Sequence, residues 1–516
     1  MVFSSHYFLF YFLTAFLAVY YLLVSLKVNI SWVNLFVTLA SYFFYGWFEP
    51  WFVTLMWIST IVDYASGRAI AQPDKMDPGN IGRKELTGEL GALNIFYPFF
   101  LFIGLLVNSV TSDRQRRRKL MRNSGLVVSL LVNLGLLGFF KYYMFFMGGF
   151  NHLAELIGAG SNLFYVMNIA LPIGISFYTF QTMSYTIDVW RGDAPPVKDM
   201  RTFSCFVALF PQLIAGPIIR YNTVAEQLAH RRHTLEKFGS GLAIFITGFS
   251  KKILLSNSAA LVSDAAFGAD APTFATAWVG AIAYHLHIYF DFCGYSDMAV
   301  GLGRMMGFEF IKNFNGPYRS VSISDFWNRW HISLSTWIRD YLYIGLGGNR
   351  KGVRRTYFNL GISMFLCGVW HGAKMTFVMW GVFHGVLLIW ERTMGRRPIY
   401  NGLPPVVKVV LTNIIVIFGW VLFRAPALDQ AMRYWGAMVG LAPVNAASDL
   451  LQAEVFKARY MFELAVCAFV AWQPIQAHEW VKKLTPVKVV LLALLLFLAI
   501  VSMFTQAFNP FIYFQF

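Results

Sequence analysis

His371 closes an apolar run within Gly368-Val369-Trp370-His371-Gly372, and His331 ends the segment Trp327-Asn328-Arg329-Trp330-His331. An imidazole can take and return a proton near neutral pH, and an ionisable ring in a hydrophobic segment is costly enough to mark a functional site by default. Gly372 removes side-chain bulk beside the His371 ring. A proton acceptor in an apolar setting suits a proton-handling or substrate-orienting role at the wall of a tunnel. The competing reading for His371 is a structural histidine bonded across helices; for His331 it is a buried ring bonded to a neighbouring carbonyl. His384, in Trp380-Gly381-Val382-Phe383-His384-Gly385, repeats the pattern and is expected to pack with one interhelical hydrogen bond.

The remaining polar groups point to no other chemistry. His285 and His287, two apart, diverge on a helix and cannot chelate one metal from it. Cys205, Cys293, Cys367 and Cys467 are scattered without metal spacing, so no metal site is expected. Asp291 and Asp297 need partners at membrane depth, either a basic cluster or a histidine whose tautomer they hold. Pro172-Ile173-Gly174 and Pro211 to Pro217 interrupt helices, which is tolerated where backbone lines a cavity or is buried in protein. Hydrolase elbows, Walker loops and dinucleotide fingerprints in a strand-turn-helix context are missing from the sequence.

These residues must be positioned by membrane helices. The 516 residues are 57% hydrophobic, 18% aromatic and 13% charged, against about 25% charged in soluble domains. Apolar stretches long enough to span recur from 7–26 to 487–506, predicting an all-α polytopic bundle of about eleven to thirteen membrane helices. No soluble domain can be cut out, so residues 1–516 read as one membrane domain. The start lacks a charged leader and a cleavage site, so the first segment is expected to be kept as an anchor. The net charge of +16 is explained by loops that set orientation, with anionic lipid or a phosphorylated donor as counter-charge rather than nucleic acid.

Lys27, Arg68 and the block Arg114 to Arg122 are placed in the cytoplasm and the N-terminus outside. A crossing by the run 94–110 would put that block outside. The run holds Pro98 and Asn108 and is about 25 Å long as a helix, so it is predicted not to cross. Residues 311–355 carry eight basic residues from Lys312 to Arg355 against Asp325 and Asp340, and need a cytosolic surface or polar cavity. On a wheel of about 100° per residue, 323–342 forms an amphipathic helix with a capping-box-like start at Ser322 and Asp325 and a stop at Gly345; His331 falls inside its apolar arc. Residues 425–458 read as the longest late loop.

Asp325-Phe326-Trp327-Asn328-Arg329-Trp330-His331-Ile332-Ser333-Leu334-Ser335, then Trp337-Ile338-Arg339-Asp340-Tyr341 and Trp370-His371-Gly372, resemble the motifs of the membrane-bound O-acyltransferase (MBOAT) family. Met1 to Ser5, Phe139-Phe140-Lys141-Tyr142-Tyr143, Phe210-Pro211-Gln212-Leu213 and Tyr289-Phe290-Asp291-Phe292 resemble its bacterial branch, which acetylates polysaccharides of the alginate and cellulose type. The resemblance runs from residue 1 to about residue 425, with 72–113 as an insertion that leaves the motifs untouched.

The resemblance implies a tunnel narrowed at His371, His331 as the second family histidine, and an acyl group passed from a cytosolic thioester. It implies acetyl-CoA as donor substrate with no permanently bound cofactor, and a bacterial inner-membrane location. The recipient would be a periplasmic acetyltransferase or the polymer in a polysaccharide biosynthesis complex. Trp370, Asn328 and Arg329 are further substrate-facing candidates. Arg350, Lys351, Arg354 and Arg355 are candidates for the donor's phosphates, or for orienting anchors. D-alanyl or long-chain acyl transfer, a polysaccharide-intermediate transporter and a scaffold are the alternatives; a transporter predicts inverted repeats, which the sequence lacks.

Overall fold

The computed structural model describes residues 1–73, 107, 109–111, 113–160, 163–442 and 445–506. Among these, every regular element is helical: α1 (Tyr7–Ser25), α2 (Ile30–Gly46), α3 (Phe52–Ala71), α4 (Arg114–Leu156), α5 (Ile175–Arg191), α6 (Met200–Ala208), α7 (Tyr221–Ala229), α8 (Leu235–Phe267), α9 (Phe274–Met305), α10 (Ile323–Arg329), α11 (Ile332–Trp337), α12 (Val353–His371), α13 (Met375–Thr393), α14 (Pro405–Arg424), α15 (Leu428–Met438), α16 (Ala446–Val455), α17 (Ala458–Ala471) and α18 (Pro486–Thr505), with shorter turns between. One buried apolar cluster runs through the bundle from Met1 to Ala499. Residues 425–458, expected as a loop, instead hold α15 and α16.

Five of these helices, α1, α4, α8, α14 and α18, are long and apolar enough to cross a bilayer by length and composition alone. The larger number expected from the sequence counts shorter and more polar helices as well. α9 shows why composition undercounts: every residue from Ala283 to Gly303 is buried. Lipid does not touch that stretch, which can therefore carry His285, His287, Asp291 and Asp297.

Two glycine seams set the close approaches. A Cβ on Gly241 or Gly248 of α8 would collide with the carbonyls of Gly301 and Gly294 of α9, so these antiparallel helices meet backbone to backbone. The hairpin of α12 and α13 repeats the device. A Cβ on Gly368 would run into the Phe377 carbonyl and one on Gly381 into that of Met364. This second seam fixes the end of α12 that bears His371.

α3 and α4 are antiparallel: Asp63 accepts from Ser129 Oγ at 2.5 Å and from Asn133 Nδ2 at 2.8 Å, while Ile70 packs where a Gly125 side chain would be. Arg122 donates to the Trp190 carbonyl near the end of α5 at 2.6 Å. Arg68, Arg122 and Arg191 therefore share one end of the bundle, as the orientation rule requires. α3 ends and α4 begins at that end; the run 94–110, predicted not to cross, lies almost wholly outside the described residues.

Residues 323–342 do not form one helix. α10 ends at Arg329, His331 adopts the left-handed conformation (φ 44°, ψ 54°), and Ile338–Tyr343 is wound as a π-helix. The neighbouring strand of backbone takes the hydrogen bonds a continuous helix would use: Asn315 N–H donates to the Arg329 carbonyl at 3.0 Å and Ile332 N–H to the Asn313 carbonyl at 2.9 Å. The apolar side is buried as predicted, with Phe326, Trp327, Trp330, Leu334, Trp337 and Ile338 all inside. Ser322 caps α10, but Asp325 accepts from Val321 N–H and binds Arg329 rather than closing a capping box.

Candidate active site

His371 is the last residue of α12 and is buried among rings, its centroid 4.9 Å from Trp370 and 5.1 Å from both Trp380 and Phe423. Among the described residues no hydrogen-bond partner holds its imidazole. The carbonyls just before it are held instead: Tyr142 OH donates to Val369 O, and Lys141 Nζ donates to Trp370 O at 2.5 Å and to Ser176 Oγ at 3.3 Å. The end of α12 is thus fixed while the ring stays unengaged, the state a proton acceptor needs.

Two cavities approach this point. A large one of about 850 Å³ runs along α12 to Met364 and Cys367, with Trp327, Asn328 and Ile338 on its other walls. Cys367 is one helical turn, about 6 Å, before His371. The cavity mouth carries Arg339, Arg350, Arg392 and Arg396. Arg191 donates to the Asp340 carbonyl at 3.2 Å, which places the mouth at the basic end of the bundle. The second cavity, about 60 Å³, lies on the far side and is lined by Lys141, Ser176, Phe177, Trp370 and His371 together with the interrupted segment Leu171 to Ile175. Pro172-Ile173-Gly174 thus lines a cavity, as a broken helix at that depth should.

His331 is placed one ring away. It is buried, edge-on to Phe292 at 4.6 Å and 6.3 Å from the Trp370 ring, which also contacts His371; among the described residues the two histidines share no hydrogen bond. Asn313 Oδ1 accepts from Ser333 N–H at 3.1 Å, which fixes it as the amide oxygen, and it lies 3.2 Å from His331 Nδ1. Nδ1 is therefore the protonated nitrogen and Nε2 the bare acceptor. Nε2 is buried with no partner among the described residues. A left-handed, non-glycine residue holding an unsatisfied acceptor is strain of the kind retained at functional sites.

The other predicted residues divide. Trp370 and Asn328 line cavities, and Arg350 sits at the large cavity's mouth. Arg329 is engaged structurally, 2.7 Å from Asp325 and 3.3 Å from the Asn315 carbonyl. Lys351, Arg354 and Arg355 do not line the cavity, and Arg355 lies over the Phe358 ring. Arg339, Arg392 and Arg396 take their place. Arg392 stands in the last turn of α13 and Arg396 just after it, within Arg392-Thr393-Met394-Gly395-Arg396-Arg397, a basic cluster that an α12–α13 hairpin returns beside Arg350. Lys141 was also missed as a site residue, although a lysine inside an apolar helix is a signal in itself. Glu391 was missed too: its carboxylate accepts from Ile323 N–H at 2.7 Å and Ser324 N–H at 2.8 Å, capping α10 from outside. His384 receives one hydrogen bond, from Trp327 Nε1 at 3.4 Å, while His285 and His287 bond to Asn413 and Ser256.

An all-helical, multi-pass membrane protein with a buried histidine in one cavity, one helical turn beyond the end of a second, larger one, has the layout of a membrane-embedded transferase. Residues 197–422, which hold both histidines, match the profile of the MBOAT, membrane-bound O-acyltransferase family. The chain is 39% identical over its whole length to the whole of Probable alginate O-acetylase AlgI of Pseudomonas putida. It is 43% identical to the protein of that name in Pseudomonas aeruginosa, over 85% of this chain and 75% of that one. It is 33% identical to the peptidoglycan O-acetyltransferase of Helicobacter pylori, over 68% of this chain and 73% of that one. The chain belongs to the membrane-bound O-acyltransferase family and is an O-acyltransferase.

Proposed function

We propose that this protein takes an acetyl group from cytosolic acetyl-CoA and passes it through the bacterial inner membrane for O-acetylation of an exopolysaccharide of the alginate type. The recipient is a periplasmic acetyltransferase or the polymer itself, and the whole chain acts as one membrane domain. The observation that carries this reading is a large, arginine-rimmed cavity that reaches from the basic end to Cys367, one helical turn short of His371, with a small second cavity lined by His371 itself. Arginine binds phosphate through charge-assisted bonds, so the rim suits the donor's phosphates and the apolar throat suits a thioester kept from water. The alginate and peptidoglycan acetylases among the relatives favour acetyl over other acyl groups.

In the reaction His371 removes the acceptor's hydroxyl proton as the oxygen bonds to the acyl carbon. The carbonyl becomes an oxyanion. When it reforms, the carbon–sulfur bond breaks, and the thiolate leaves with the proton that His371 returns. His331 acts from behind Trp370, orienting the throat.

The test supplies the full chain in lipid nanodiscs with acetyl-labelled acetyl-CoA and, in turn, alginate oligomers, cellulose oligomers and a periplasmic acetyltransferase of the same cell. Label should move to one of them. Label that stays on CoA with all three, under conditions where a D-alanyl thioester carrier does donate, would sink the acetyl reading.

A further inference from the structure

We propose that Lys141 is a catalytic residue whose ammonium holds the oxygen that becomes negative during transfer. This rests on His371 being the base, and adds to it the group that stabilises charge.

Lys141 is the sole charged side chain of α4 between residues 123 and 154, apart from any charge on His152. Elsewhere, ammonium groups at this depth are neutralised. Lys251 is 2.7 Å from Asp297 and Lys252 is 2.5 Å from Asp291. No carboxylate pairs with Lys141 among the described residues. Its neighbours are the Trp370 carbonyl, the Ser176 hydroxyl and the Trp370 ring face at 5.7 Å.

Capping α12 accounts for only part of this. The last carbonyls of a helix lack intrahelical partners and attract donors, and Lys141 satisfies one of them. Tyr142, the next residue, satisfies the Val369 carbonyl with a neutral hydroxyl, so a cap at this helix end does not require a charge. An ammonium has three N–H donors. Two are used, by Trp370 O and Ser176 Oγ, and the third remains for the 60 Å³ cavity that Lys141 lines together with His371. That cavity is where the acceptor oxygen and acyl carbon meet. As their bond forms, the acyl carbonyl's electron pair moves onto its oxygen, and the Lys141 N–H receives it; when the carbon–sulfur bond breaks the pair returns. No N–H bond of Lys141 breaks in this step.

Losing one such donor typically costs about a hundred- to a thousand-fold in kcat. The test uses membranes of polymer-producing cells in which the full-length variant replaces the natural chain, with labelled acetyl-CoA as probe. Lys141→Met is expected to reach wild-type membrane levels and to lose about that factor in kcat, with KM for acetyl-CoA unchanged. Lys141→Arg should recover much of the loss. Tyr142→Phe, which removes only a cap, should cost less than about fivefold.

Equal losses in Lys141→Met and Tyr142→Phe, or a Lys141→Met kcat within about fivefold of wild type while His371→Ala is inactive, overturn the proposal alone. An active His371→Ala overturns the reading beneath it as well. Should Lys141→Met fail to insert, Lys141→Arg against Lys141→Gln decides, with equal activity overturning the proposal.

Discussion

The α8–α9 seam and the junction of α4 with the end of α12 both bury lysines in the membrane, and they treat them in opposite ways. In the seam, Lys252 and Asp291 are 1% and 0% exposed and 2.5 Å apart, and the ammonium also donates to Asn257; Lys251 meets Asp297, which also faces His478 at 3.3 Å. Charge there is cancelled within the protein, and no cavity approaches it among those described. At the junction, the described residues give Lys141 only neutral oxygens and a ring, and give the neighbouring His371 no hydrogen-bond partner, beside a cavity that both line. Buried charge that is paired is architecture. Charge left unpaired beside a cavity is kept for a visitor.

Removing His371 should break this contrast most severely. His371→Ala is expected to lower kcat by about 10²–10⁴ while leaving the protein inserted and folded, with a lowered unfolding midpoint from the cavity left among Trp370, Trp380 and Phe423. Wild-type polymer acetylation by this variant would return His371 to a packing role. Lys252→Met should have the mirror-image phenotype. Stripping one partner from a buried pair costs about 3–5 kcal/mol of stability, read as a lowered unfolding midpoint in nanodiscs, with turnover per folded molecule near wild type. Adding Asp291→Asn should recover most of the loss; failure of that recovery would mean the pair does more than cancel charge.

Gly381→Ala should give a smaller, mixed effect. Its Cβ meets the Met364 backbone, which cannot swing aside, so overpacking of about 1–3 kcal/mol is expected. Because the same seam aims the end of α12, transfer should fall together with the unfolding midpoint. A fall in stability with no change in turnover would detach the seam from the site.

How much of this was legible depended on whether a residue's own segment decided its fate. His371 could be read because apolar surroundings and a flanking glycine are local facts, and the buried side of 323–342 because amphipathic spacing is local too. The single helix drawn there failed for a reason no wheel contains: Asn313 and Asn315, from a different segment, compete for the backbone around His331. Asp291 and Asp297 were rightly expected to need partners; these include Lys252 and Lys251 of α8 rather than the basic cluster, with His478 also against Asp297, and only the α8–α9 register reveals the lysines. Lys141 is not marked by its own segment beyond being a lysine in an apolar helix, since what distinguishes it from Lys251 and Lys252 is that no carboxylate among the described residues pairs with it.

The smallest effect concerns the rim of the large cavity, where sequence alone gave equal standing to every arginine of 350–355. Arg392 and Arg396 line the mouth and Arg355 does not. A charge-assisted hydrogen bond to a phosphate is worth about 1.5–3 kcal/mol, so Arg392→Gln should raise KM for acetyl-CoA by about tenfold or more, with kcat held. Arg355→Gln, over the Phe358 ring, should change KM by less than about twofold. Raised salt should reproduce the Arg392→Gln phenotype in the wild type, since exposed charge is screened over about 8–10 Å, but should spare transfer at saturating donor. Equal KM values for the two variants would mean that the donor's phosphates dock outside this mouth, and the large cavity would then be the acyl group's passage only.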